Sequence, residues 1–570
     1  MQTTFDNKIK AISLGIILSV IIIILRLFYL QIYLNEKLFS LGQKNFTRMQ
    51  KVICPRGNIV DANNHLLVTN RPVINIYWQG TGKRNLSPEQ ISMIQFLEKI
   101  IEINLTNPEK LNEIKIAERY SKTTPIATDL AFDKLSKIAE QFSDSNNIAI
   151  STDFKRFYPH ESMASHVIGY LTQIDLDAIG KMGLEKLFED ELKGQSGCNM
   201  QTINSLGKSL NSQQIKPPVP GRTIKTTLDL HLQKIAEAVF PAGFKGGLII
   251  MDPEDGAIKA ILSRPNFDPT TFLNQLSNAQ WKELQDKQPF LNRIFNACYP
   301  PASIFKLVSV SAALEMGIVK QECNWYCNGF INFVNRRYRC GSKIHGHGSI
   351  TPKEAIVKSC NTFFYNIAKH LYIDDLANYA NRFGLGQKTG IMFAEKTGLI
   401  PTNSWKLKVY GEAWWPGETL SAVIGQSYLL VTPLQIARMI SGIFQGYLVT
   451  PRILEEEKVE KKPLNIQRDT LEFLKDSMRT VITAGTGQRV GRLKDFTIYA
   501  KTGTAQTSAL EKREISEEHF EHAWFASNFA YKNNKPLTMI FLVEHASSTA
   551  GVITAAREFF IQYKQLLSES

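Results

Sequence analysis

The chain has 570 residues, 44% of them hydrophobic, and a formal net charge of +13. That length is ample for two or more packed domains. The basic residues are scattered, and the run around Lys458 to Lys462 is short. The excess therefore reads as a solvated surface, with weak attraction to anionic lipid or cell-wall polymer as the next reading. No nucleic-acid-binding motif accompanies it, so no nucleic-acid partner is expected.

Ile12 to Leu30 is the one long apolar stretch. As a helix it spans about 28 Å, close to the hydrocarbon thickness of a bilayer. Arg26 lies near one end, where a long side chain reaches the headgroups. Lys8 and Lys10 precede the run and favour a cytoplasmic N-terminus. A cleaved signal peptide is the competing reading, but no small-x-small site follows: the next residues are Gln31-Ile32-Tyr33-Leu34. The expectation is a cytoplasmic tail over 1–10, a single transmembrane anchor over 11–30, and the rest of the chain on the far side of the membrane.

Pro55 to Asn64 reads as a short strand entering a turn. Residues 85–150 alternate amphipathic helical patterns with polar loops. Arg156–Pro159 and His166–Tyr170 read as strand and loop, and Gly183–Phe188 as the start of a helix. Prolines and a glycine crowd between Lys216 and Arg222 and mark a domain boundary. This divides the chain into a region 31–225 without a catalytic constellation and a region 226–570. In the latter, Thr227–Gln233 opens a helix and Gly247–Ile261 forms a β-hairpin. Helical patterns dominate from about 300 to 445. Strand patterns return at Phe496–Ala500, Ala523–Ala530 and Leu537–Val543, and a helix over Ala555–Leu567 closes the chain. Strands first and last with helices between predict an α+β fold, an antiparallel sheet carrying a helical layer.

Three motifs in this second region make a chemical set. Tyr299-Pro300-Pro301-Ala302 stops any earlier helix and places Ser303 at the N-terminus of the next, where a free backbone N–H and the helix dipole favour an oxyanion. Lys306, three residues on, lies on the same face within reach of the hydroxyl; desolvation would lower its pKa and make it a base. Ser359-Cys360-Asn361 supplies a proton relay in Ser359 and, in Asn361, a group to bind substrate and hold Lys306. Lys501-Thr502-Gly503-Thr504 follows a strand-like alternation. Its glycine admits a close backbone approach, its Lys501, Thr502 and Thr504 suit a substrate carboxylate, and the Thr504 N–H suits a second oxyanion donor. Each motif also has a bland reading as a helix cap or a solvated lysine, and each has decoys. Ser205–Lys208, Ser209–Asn211 and Ser145–Asn147 match the first two patterns, and Lys388–Gly390 and Lys396–Gly398 match the third. None of these decoys combines a helix start, a cap and a strand edge, and the Ser205/Lys208/Ser209/Asn211 group lies in an expected polar linker.

The chain resembles the class B penicillin-binding proteins. The resemblance rests on the three motifs in order, Arg56–Asp61, Gly183-Leu184-Glu185, Met251-Asp252-Pro253, Gly425-Gln426 and Thr432–Gln435. Within that class it is similar to the elongation-type penicillin-binding protein 2 group, through Phe363-Phe364-Tyr365, Trp414–Thr419 and Gln506-Thr507. Ala302 departs from the glycine frequent before the family's serine. The resemblance implies a non-catalytic, dimerisation-type pedestal over 31–225. It implies a penicillin-binding domain over 226–570, with a five-stranded antiparallel sheet flanked by helices. The implied activity is serine D,D-transpeptidation of peptidoglycan stem peptides, with residual carboxypeptidase activity, β-lactams as trapping ligands and a membrane glycosyltransferase as partner. A division-type enzyme, a non-catalytic β-lactam sensor and a serine β-lactamase are the alternatives.

Five of the seven cysteines fall between Cys298 and Cys360. Cys327, Cys340, His347 and Cys360 offer three thiolates and an imidazole, which suits tetrahedral zinc. Some elongation-type relatives carry zinc at matching positions, with acidic ligands where this chain has Cys327 and Cys340. A Cys327–Cys340 disulfide and free structural thiols stay open beside a structural zinc ion.

Overall fold

A computed structural model describes residues 2–569 except 143–146, 175–176, 204–208, 274–275, 342–344, 492, 507–519 and 547. The chain forms two compact units. One comprises Met1–Gly57, Asn70–Lys155 and Lys193–Arg222; the other Asn58–Thr69, Arg156–Leu192 and Thr223–Ser570. The chain thus enters the second unit three times.

In the first unit, a helix over Gln2–Phe28 continues through a π-turn at Tyr29–Tyr33. Its apolar span Asn7–Tyr33 is long enough to cross a membrane, and none of it is buried in the fold. Three helices follow where the amphipathic pattern predicts them, at Pro88–Ile101, Pro108–Arg119 and Phe132–Phe142. The first begins with a capping box at Ser87 and Gln90. They pack Ile94, Leu97, Ile101 and Ile114 around Trp78, whose indole N–H donates to Glu118 at 3.0 Å. A separate three-stranded sheet joins Thr47–Val52, Gly197–Ile203 and Ser209–Lys216. The polar linker expected around Ser209 and Asn211 is therefore a strand. Serine, asparagine and glutamine alternate there without an apolar face to betray it. Ser205, Lys208, Ser145, Asn146 and Thr507 lie outside the described residues.

The second unit is built on five antiparallel strands in the spatial order Ile258–Arg264, Gly246–Met251, Leu537–Val543, His522–Tyr531, Phe496–Ala505. Every residue of the two central strands Gly246–Met251 and Leu537–Val543 is buried, because both faces are covered. Ile249, Ile540, Leu542, Trp524 and Ala526 point into one core with the large helical layer. Leu248, Ile250, Phe525, Phe541 and Val543 point into the other, against helices Leu230–Val239 and Ala550–Glu569. At roughly 1.5–3 kcal/mol per fully buried large apolar side chain, these two cores hold the sheet between its layers. Phe496–Ala505 lies at the sheet's edge, so one side of its backbone is open to a ligand.

Two local expectations change. His166–Tyr170 is not all loop: Ser165–Ile168 makes a short helix, preceded by Ala164 at φ 49° and followed by Gly169 at φ 86°. Within the predominantly helical 300–445 stretch, residues 325–350 form two small β-ladders instead. Trp325–Cys327 pairs with Gly348–Ile350, and Phe330–Phe333 with Arg336–Arg339. Strands of three or four residues are too short for periodicity to reveal.

Candidate active site

Ser303 lies in a 3-10 turn, Ala302–Ile304, that runs into the helix Lys306–Glu315. Two contacts fix this turn. The Ala302 N–H donates to Gly425 O at 2.9 Å, and the Trp524 indole donates to Pro300 O at 3.1 Å. Ala302 adopts φ 50°, the left-handed region that costs an L-residue about 1–2 kcal/mol and that glycine enters freely. Gly425 allows the close approach, since a Cβ there would lie 2.1 Å from Ala302 O. The Ser303 N–H has no backbone partner among the described residues.

Ser359 closes the helix Pro352–Val357. It sits at φ 53°, its N–H donates to Ile356 O at 3.2 Å, and the Cys360 N–H donates to Ala355 O at 2.8 Å. This is a Schellman ending with serine in the position usually given to glycine. The next helix, Asn361–Ala368, starts at once. The tight reversal turns the side chains of Ser359 and Asn361 toward Lys306 instead of toward their own helix ends.

The result is one buried hydrogen-bonded cluster. The Ser359 hydroxyl donates to Ser303 Oγ at 2.9 Å. Lys306 Nζ donates to Ser359 Oγ at 3.1 Å, Ser359 O at 2.9 Å and Asn361 Oδ1 at 2.6 Å. Lys501 Nζ donates to Ser359 Oγ at 3.3 Å and Thr502 O at 2.9 Å. No hydrogen bond joins Lys306 to Ser303, though their spacing predicts one; Ser359 bonds both. Lys501 also departs from expectation. Its ammonium is wholly buried and bonds Ser359, while Thr502 and Thr504 alternate to the other face of the strand. Gly503 lets that strand lie against the nucleophile's turn; a Cβ there would meet Trp524, Ile304 and Ala302 at 3.3, 3.4 and 3.5 Å.

Burial pushes the Lys306 pKa down to about 8, against the opposing pull of the Cys360 and Cys340 side chains. Burial, with Lys306 beside it, pushes Lys501 well below the ordinary lysine value. Two cations cannot share so dry a site, so one of the two amines is readily neutral.

Two contributors escaped sequence reasoning. Thr486 Oγ1 lies 2.7 Å from Thr502 Oγ1 and extends the row of hydroxyls. Tyr365 bonds the Asn361 side chain. A lone Gly-Thr-Gly at 485–487 carries no signal of its role. The helical spacing from Asn361 to Tyr365 was the available hint. The decoys Lys388–Gly390 and Lys396–Gly398 lie outside strands, and the Thr389 hydroxyl is tied to Glu395.

Cys327, Cys340, His347 and Cys360 converge, with their ligand atoms all within 4.8 Å of one another. All seven cysteines are unbridged. Cys327 Sγ and Cys340 Sγ lie 3.4 and 3.5 Å from His347 Nδ1, and Cys340 Sγ lies 3.6 Å from Cys360 Sγ. A tetrahedron with zinc's bond lengths has S···N edges of about 3.5 Å and S···S edges of about 3.8 Å. These three separations match such edges, and three thiols with one imidazole are a donor set of the kind zinc takes. The hydrogen bond shared by Cys340 and Cys360 holds Cys340 below its usual thiol range and pushes Cys360 above it. His345 is exposed and outside the cluster.

A nucleophile, relay, base and carboxylate cradle on a five-stranded sheet define a serine acyltransferase of the penicillin-binding class. The penicillin binding protein transpeptidase domain matches residues 246–562, and the penicillin-binding protein dimerisation domain matches 51–226. The chain belongs to the penicillin-binding protein transpeptidase family. It is 28% identical to the peptidoglycan D,D-transpeptidase MrdA of Haemophilus influenzae, over 99% of this chain and 92% of that protein. It is 27% identical to MrdA of Escherichia coli K12, over 97% and 93%. Among solved structures it is similar to PBP2 in the PBP2–MreC complex of Helicobacter pylori, with TM-score 0.76 and 27% identity over 91% of this chain and 99% of that one.

Proposed function

We propose that this chain is a peptidoglycan D,D-transpeptidase of the elongation type, working through an acyl-enzyme at Ser303. The observation that carries the reading is the unbroken hydrogen-bonded path Ser303–Ser359–Lys306, closed by Asn361 and Lys501. Similarity over nearly the whole chain to MrdA proteins and PBP2 structures supports it and does not favour a division-type enzyme or a sensor.

In this mechanism the stem-peptide carboxylate rests on Thr502 and Thr504. Ser303 Oγ attacks the carbonyl carbon of the penultimate D-Ala while its proton passes to Ser359 Oγ, and the Ser359 proton passes to neutral Lys306. The carbonyl electrons move onto oxygen, which accepts from the N–H groups of Ser303 and Thr504. The C–N bond then breaks, and the terminal D-Ala amine regains a proton from Lys306 through Ser359. An amine of a second stem attacks the ester next, and Ser303 recovers its proton along the same path. Water in place of the amine gives carboxypeptidase activity. β-Lactams enter as mimics of the D-Ala-D-Ala end and stay on Ser303. Labelling with a fluorescent penicillin tests the reading: the wild type should label, and Ser303→Ala should not. Labelling that survives the substitution refutes it.

The helix over Asn7–Tyr33 supports a single-pass anchor in the bacterial inner membrane, with residues 1–10 cytoplasmic and the catalytic unit periplasmic. The solved relative described as part of a peptidoglycan synthase complex coordinates polymerisation with cross-linking. This supports a membrane glycosyltransferase partner here. Zinc at Cys327, Cys340, His347 and Cys360 would be structural: with four protein ligands it leaves no open position and would brace the Cys360 backbone beside Ser359 and Asn361.

A further inference from the structure

Between Cys327 and Cys340 the chain makes a hairpin, Phe330–Phe333 against Arg336–Arg339. Arg336, Arg337 and Arg339 are all exposed on it. None has a carboxylate partner among the described residues. Two of them lie on aromatic rings instead: Arg337 is 3.4 Å from the centre of Phe330, and Arg336 is 5.3 Å from that of Tyr338. Stacking fixes a guanidinium while leaving its fork of N–H donors free. Like charges on one short ladder repel one another, and no ion pair offsets this among the described residues.

The hairpin is held firmly and close to the catalytic cluster. At its base the Cys340 N–H donates to Gly329 O at 2.7 Å, beside the thiols and His347. On its flank Tyr338 meets Tyr365 edge to face, ring centres 5.5 Å apart. The Tyr365 hydroxyl donates to Arg339 O at 3.5 Å and also bonds the Asn361 side chain. Tyr365 lies about one helical turn from Asn361. Arg337 and Arg339 thus share one face of the hairpin and Arg336 takes the other, on a ledge joined through Tyr365 to Asn361, the residue that holds Lys306.

We propose that this ledge is a binding surface for peptidoglycan strands, taking free carboxylates of the stem peptides outside the reacting D-Ala. The proposal rests on the transpeptidase reading, which makes a polymer with carboxylates along its peptides the ligand of this cleft. A planar guanidinium pairs with a carboxylate through two parallel hydrogen bonds, and the hairpin offers three that have no carboxylate partner among the described residues. Anionic phospholipid is the other source of negative groups. It is disfavoured because the ledge adjoins the catalytic helix.

The test uses soluble, uncross-linked peptidoglycan strands, the full-length enzyme and the triple variant R336Q/R337Q/R339Q. The variant should bind strands roughly tenfold more weakly. Its KM for cross-linking should rise to match, with kcat and the rate of Ser303 labelling by fluorescent penicillin unchanged. Strands with amidated carboxylates should bind the wild type as weakly as ordinary strands bind the variant. Wild-type binding should also weaken steeply with added salt, a readout that stands even where the variant fails to fold. Equal strand binding by both proteins, a flat salt response, or an effect confined to anionic phospholipid vesicles would overturn the proposal. So would penicillin labelling slowed in step with cross-linking. Failure of the wild type to label at Ser303 defeats the transpeptidase reading instead, and is told apart because strand binding is measured without catalysis.

Discussion

Lys306 is a long cation with none of its surface exposed, held in place by three oxygen acceptors. Burial lowers its pKa to about 8, and the neutral amine is the form that accepts a proton. The sign follows directly: below that value Lys306 is charged and cannot serve as base. Acylation of Ser303 by penicillin should therefore rise with pH and level off above about 8. A rate independent of pH between 6 and 9 would remove Lys306 from the role. Ala302 poses a different question. At φ 50° a glycine would relieve about 1–2 kcal/mol of strain. It would also forfeit a buried methyl and add about 0.5–1 kcal/mol of unfolded-chain entropy. These nearly cancel, so Ala302→Gly should shift unfolding free energy by less than about 1 kcal/mol, as read by denaturant titration. The departure from the family's glycine is then tolerated because its two costs oppose each other.

The edge strand Phe496–Ala505 and the turn carrying Ser303 meet at a glycine with little room to spare. Gly503→Ala would place a methyl 3.3–3.5 Å from Trp524, Ile304 and Ala302. Overpacking of this kind costs about 1–3 kcal/mol. The variant should lose a few degrees of Tm and acylate at least tenfold more slowly, as the strand is pushed from the serine. Wild-type rates in this variant would mean that the strand does not set the oxyanion site. Cys360 joins two elements in the same way, since its thiol belongs to the Cys/His cluster and its neighbours to the catalytic cluster. Elemental analysis of purified protein should find zinc in the wild type and less in Cys340→Ser, and no zinc in either sample would remove the ion. Such juxtapositions were only partly legible beforehand. Ser303, Lys306, Ser359, Asn361 and Lys501 stand in motifs whose local signals, prolines, caps and an alternating strand, survive in one dimension. That Ser359 would intervene between Lys306 and Ser303 depends on a left-handed turn at a serine, and that Lys501 would point inward depends on the facing helix. Neither is a local property.

For the molecule as a whole, the strands around 246–264 and 496–543 could be anticipated from their apolar patterns, and the long N-terminal helix from its length. The return of Asn58–Thr69 and Arg156–Leu192 to the catalytic unit could not, because it is made by contacts far apart in the chain such as Ile224 N–H to Asn58 O. The apolar span Asn7–Tyr33 contributes nothing to either core. Deleting residues 1–33 should release the protein from membrane fractions while leaving penicillin labelling of Ser303 intact, and loss of labelling would show that the helix supports the fold. The account as a whole turns on the relay through Ser359, and the acylation rate constant of Ser359→Ala reports on it most directly. Loss of a positioned proton carrier is worth about 10²–10⁴ in rate. The account predicts acylation slowed by at least a hundredfold, with the residual adduct still on Ser303. A rate within tenfold of the wild type would contradict it.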